Sequence, residues 1–181
     1  MRGGRWVLAV VVLAVLLLPS IALADNFHAP ASDDALVSWQ YSTILPNRYR
    51  SGTAFTINNS YQTTDLNFLQ YADGHDEQLN NYYTVTNDFD ETTWGYWNCV
   101  YFTNALHTNC KHGHIRYNGL QDFNPTLNAA LACHETGHSV GLDHFGPHSS
   151  GSTVRCMQTN PVPADPYMGP HNAALINANY T

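Results

Sequence analysis

The chain has 181 residues, a formal net charge of −7, and seven basic against fourteen acidic side chains. That length suits one domain with a real hydrophobic core. Lys111 is the sole lysine, so no basic footprint exists for nucleic acid or anionic lipid, and neither is expected as a partner.

The chain opens with Arg2 and Arg5, an unbroken apolar run from Val7 to Leu18, then Pro19 and the small-residue sequence Ala22-Leu23-Ala24. This order is that of a signal peptide, residues 1–24, and the apolar run is too short to span a bilayer; a membrane anchor is the lesser alternative. Cleavage after Ala24 implies a secreted, extracellular protein with no membrane association afterwards. Residues 25–36 are polar and aperiodic, which reads as a flexible N-terminal arm or short pro-segment. Residues 37–181 are expected to form a single, monomeric domain.

Val37–Ile44 and Thr53–Ile57 are rich in β-branched and aromatic residues and read as strands. Thr64–Tyr71 reads as a helix capped by Thr63 or Thr64, and Leu79–Thr86 fits helix or strand equally. Trp94–Thr103 and Gly113–Asn118 read as strands. Asp88, Asp90 and Glu91 are acidic enough to suggest calcium, but they lack the glycine and spacing of a calcium loop, so a solvated turn is preferred. His112 and His114 are two apart and would share one face of a strand, as a second metal site or as ordinary surface histidines. Asn124-Pro125 starts a helix expected to run to about Val140, with Leu127, Ala130 and Leu131 on its core face. Residues 172–179 read as a closing helix packed through Leu175 and Ile176.

The four cysteines, Cys99, Cys110, Cys133 and Cys156, are an even set with no C-x-x-C spacing. In an exported chain this argues for disulfides rather than thiolate metal ligation. Sequence order favours Cys99–Cys110 and Cys133–Cys156 among three possible pairings.

The most informative stretch is HETGHSVGLDH, residues 134–144. His134 and His138 are one helical turn apart and present imidazoles on one face. Gly141 can take the left-handed conformation that ends a helix, which lets His144 return toward the first two. Three histidines suit a catalytic zinc that keeps a fourth position for water. Glu135, beside a ligand and not needed as one, is placed to act as general base.

This H-E-x-x-H-x-x-G-x-x-H pattern resembles the metzincin zinc endopeptidases. The GLDH ending is most similar to the matrixins and to small secreted actinobacterial-type relatives. The likeness covers about residues 95–180. It implies an α+β, zincin-like fold: a twisted mixed sheet packed on a zinc-site helix, with a small loop-rich C-terminal subdomain that closes with a helix. It also implies one catalytic zinc, peptide or protein substrates, and a methionine turn beneath the metal. Met157 is the natural match for that methionine and Met168 the alternative. The strand before the zinc helix lines the cleft in metzincins, which makes Ile115, Arg116 and Tyr117 candidates for main-chain substrate contacts, with an ordinary edge strand as the other reading.

Three departures accompany the likeness. The thirteen residues from His144 to Met157 make a longer connection than vertebrate matrixins have. Neither methionine is followed two residues later by a tyrosine that would serve as an extra ligand. No cysteine precedes Cys99, so a cysteine-switch latency is not expected. The expected function is a secreted zinc endopeptidase; the alternative is a zinc-stabilised binding protein of the same fold without turnover.

Overall fold

The computed structural model describes residues 30–73, 79–144, 155–158 and 165–180. The leader, the first five residues of the N-terminal arm and the serine-rich segment after His144 lie outside the described residues, whereas the rest of the arm carries a short strand and the start of the next. Among the described residues six strands form one mixed sheet: β1 (Ala31–Ser32), β2 (Leu36–Tyr41), β3 (Asn67–Gln70), β4 (Asn81–Thr86), β5 (Gly95–Phe102) and β6 (Asn109–Asn118). The order is β1-β6-β4-β2-β3, with β5 on the other side of β6. All pairings are parallel except β5 with β6. Among the described residues three α-helices accompany the sheet: α1 (Asn47–Asn59), α2 (Pro125–Ser139) and α3 (Pro170–Asn179).

Alternation along the strands puts Val37, Trp39, Tyr41, Tyr83, Ile115 and Tyr117 on the face that meets the helices, and all six are buried. The core is unusually rich in tyrosine, and each central hydroxyl has a partner. Tyr83 Oη lies 3.0 Å from Thr136 Oγ1, Tyr117 Oη lies 2.9 Å from Thr53 Oγ1, and Tyr61 donates to the Cys133 carbonyl at 2.6 Å. Satisfying these groups avoids the cost of burying an unpaired hydroxyl. Burial also pushes the three phenols well above their usual pKa, so they stay protonated.

Two local expectations are overturned. Thr53–Ile57 is not a strand but the second half of α1. Its buried residues Tyr49, Gly52, Thr53, Thr56 and Ile57 recur at three and four, and they form a stripe against α2. Thr56 Oγ1 bonds the Ala129 carbonyl at 2.7 Å, so helix packing outweighs the β preference of the branched side chains. Thr64–Tyr71 is not a helix: after a 3-10 turn at Tyr61–Thr63 the chain becomes β3, paired with Leu36–Trp39 of β2. Leu66 and Phe68 are buried while Asn67 and Leu69 are exposed, the period of a half-buried strand. The ambiguous 79–86 segment contains β4.

The remaining elements lie close to their expected bounds. Asn124 Oδ1 accepts from the Leu127 amide at 2.9 Å and Pro125 occupies the first turn of α2, where Ala130 and Leu131 are buried and Leu127 half-buried. Leu175 and Ile176 bury α3. The Tyr180 hydroxyl, just past α3, reaches the Val140 carbonyl at 3.3 Å and so pins the end of α2. Asp90 spends its carboxylate on a turn, accepting from the Thr92 and Thr93 amides.

Both disulfides join the cysteines paired by sequence order. Cys99–Cys110 links β5 to β6, and Cys133–Cys156 links α2 to the segment carrying Met157. The second closes a separation of 23 residues, worth about 3 kcal/mol in the chain-entropy model. Cys133→Ser with Cys156→Ser is therefore expected to lower unfolding stability by about that amount in a urea melt. An unchanged midpoint would show that core packing alone holds this segment.

Candidate metal centre

The centre is built at the C-terminal end of α2. His134 and His138 project from successive turns, and the helix stops at Ser139. Gly141 has φ 90°, and two hydrogen bonds close the stop: Gly141 amide to the His138 carbonyl at 3.1 Å and Leu142 amide to the Gly137 carbonyl at 2.9 Å. A residue with a Cβ is strained at such a φ, which is the physical reason for glycine here. Beyond this turn the chain reverses and brings His144 back to the other two.

The three Nε2 atoms converge. They are 2.8 Å apart for His134 and His144, 3.1 Å for His138 and His144, and 3.2 Å for His134 and His138. Three nitrogens on a tetrahedral zinc with bonds of 2.0–2.1 Å would be about 3.3 Å apart. Among the described residues this is the one group of three or more metal-ligating side chains so gathered.

The far side of two rings explains their orientation. His134 Nδ1 donates to the Cys156 carbonyl at 2.6 Å, and His138 Nδ1 donates to the Leu142 carbonyl at 2.8 Å. A carbonyl can only accept, so the proton sits on Nδ1 and the Nε2 lone pair faces the centre. Burial, with the neighbouring His138, lowers the pKa of His134 to about 3; burial lowers that of His138 to about 4. Both are neutral at ordinary pH and need lose no proton to bind a metal. The donor set therefore fits a divalent ion, and zinc is compatible with it.

Glu135 is 5% exposed and borders the same cavity, which has a volume of about 340 Å³ and is also lined by Gly95, Trp97, Leu142 and the three histidines. The Trp97 amide bonds its carboxylate, while burial pushes its pKa up to about 8. A cation in the centre would act against that rise by favouring the charged form.

The expected substrate strand is corrected. Ile115, Arg116 and Tyr117 lie inside the sheet, paired with Tyr83, Thr84 and Val85 on one side and Trp97, Tyr96 and Gly95 on the other. Their backbone groups are committed to those ladders, and Ile115 and Tyr117 are fully buried. The strand that borders the cavity is β5, which among the described residues pairs only with β6. Its earlier place in the sequence hid this, because the β5–β6 hairpin puts the first of its strands beside α2.

Met157 and not Met168 lies beneath α2. Met157 is fully buried, whereas Met168 forms a bridge with Arg155 and bonds Ser60 Oγ through its amide. Sequence reading missed Gly137: a Cβ there would stand 2.3 Å from Met157 Sδ and 3.1 Å from Tyr61 Oη. Gly137→Ala would gain about 1 kcal/mol of helix propensity but overpack a closed site at a cost of about 1–3 kcal/mol. We expect a net fall in melting temperature; a rise would show that Met157 can move aside freely.

No family model matches the chain, and no curated protein matches it.

Proposed function

We propose that this chain is an exported, monomeric zinc endopeptidase of metzincin type, made with the leader 1–24 and released from it. The observation that carries the reading is the convergence of three neutral imidazoles with Glu135 at one cavity. A purely structural zinc would use a fourth protein ligand, and it has no use for a carboxylate beside the site. The HETGHSVGLDH spacing, the buried Met157 under α2 and the two disulfides, which suit an oxidising compartment, support the same reading.

When bound, a zinc ion supplies Lewis acidity that makes water nucleophilic near neutral pH and polarises a carbonyl. His134, His138 and His144 would hold the ion, with the first two kept in the right tautomer by the Cys156 and Leu142 carbonyls. Glu135 accepts a proton from the attacking water and carries it to the departing amine nitrogen. The Trp97 amide orients that carboxylate. The outer edge of β5 offers main-chain groups to an extended peptide, as edge strands do.

The test is hydrolysis of an unfolded protein before and after treatment with a chelator. Activity should vanish on chelation and return with added zinc. Stable zinc binding without any hydrolysis would favour a zinc-stabilised binding protein.

A further inference from the structure

The carboxylate of Glu135 stands against a strand position that has no side chain. Gly95 opens β5 and Trp97 follows two residues later, so both face α2, as do their pairing partners on β6, the buried Tyr117 and Ile115. A Cβ on Gly95 would stand 2.7 Å from Glu135 Oε1, 2.9 Å from its Cγ and 3.0 Å from its Cδ. The three nearest atoms thus belong to one side chain, the one that borders the histidine centre.

Backbone conformation does not account for this glycine. Gly141 is the one glycine with a positive φ among the described residues, so the backbone at Gly95 is open to any residue. Inside a strand a glycine weakens the element and packs nothing, and it marks a place where another group comes close. The other tightly packed glycines meet different groups: Gly52 meets the Asn128 backbone where α1 crosses α2, and Gly113 meets the Trp97 indole. Among the described glycines, only at Gly95 does a carboxylate take the space.

The other sides of the carboxylate show what that space does. The Trp97 amide bonds it from the same strand, and beyond it lies the cavity of about 340 Å³ that the three histidines share. A side chain at position 95 would push Glu135 off the Trp97 amide and into that cavity. The fold can absorb such a shift at the end of a flexible side chain, but the position of the carboxylate cannot survive it.

We propose that Gly95 is a positioning residue for the hydrolysis, because the space left by its missing side chain is the seat that holds Glu135 against β5. The inference rests on the peptidase reading of the same site.

Gly95→Ala tests it, alone and combined with Glu135→Gln, through steady-state hydrolysis of a peptide, metal analysis and a crystal structure of the variant. Misplacing a reacting group by about 1 Å costs about 10²-fold, so kcat should fall by about that factor while KM and zinc content stay parental. The two losses should not multiply: the double variant should be no slower than Glu135→Gln alone, since Gly95 acts only through that carboxylate. In the crystal, Glu135 of Gly95→Ala should have left the Trp97 amide. Parental kcat, or Glu135 still on that amide, would overturn the proposal. So would losses that multiply, which would make Gly95 a contact for substrate or a support of the strand. Gly95→Ser carries the same Cβ and serves for the same comparison if the alanine chain does not fold. Failure of the peptidase reading looks different: a parent chain without hydrolysis, in which Gly95→Ala still displaces Glu135, would overturn that reading and support the seat.

Discussion

Glu135→Gln is expected to lower hydrolysis by about 10²- to 10⁴-fold while leaving metal content at the parent value. Glutamine keeps the shape of the side chain, and its carbonyl oxygen can still accept from the Trp97 amide, so the local packing survives. What it loses is the ability to take up a proton. Glu135 is buried, which pushes its pKa up to about 8, and a cation in the centre would act against that rise and favour the carboxylate that accepts the proton. Metal analysis beside a peptidase assay separates the possibilities. If zinc fell in step with activity, Glu135 would be a ligand and the assigned role would be wrong.

His144→Ala is expected to remove metal and activity together. His144 contributes the third of three converging nitrogens, at 2.8 and 3.1 Å from the other two, and it is the only one of the three that is exposed and outside α2. Without it two imidazoles remain, too few to hold a catalytic ion firmly. Since an ion that binds only the folded chain stabilises by RT ln(1 + [L]/Kd), about 4 kcal/mol at a thousandfold excess over Kd, the variant should also lose most zinc-dependent stabilisation. Thermal melts with and without zinc, alongside metal analysis, decide the matter. Parental metal retention by the α2 centre would mean that Asp143 or His148 supplies the third ligand.

What the residues determine by themselves is what short-range geometry controls. A separation of four puts His134 and His138 one turn apart on any α-helix, Asn124-Pro125 starts that helix, and Gly141 stops it, whatever packs around them. The histidine triad was therefore legible before any fold, as were the disulfide pairs, whose partners lie 11 and 23 residues apart. Tertiary structure decided the rest. It made Thr53–Ile57 helical, because α1 had to bury one stripe against α2, and it made Asn67–Gln70 a strand, because β2 offered an open edge. It put β5 rather than Ile115–Tyr117 at the cavity, since pairing order cannot be read from strand order. It supplied the Cys156 carbonyl that sets the tautomer of His134, and it placed Met157 against Gly137, both across a span that only the folded chain closes. Local pattern carries periodicity and turns; contacts between distant segments arise from burial, which no short window of sequence contains.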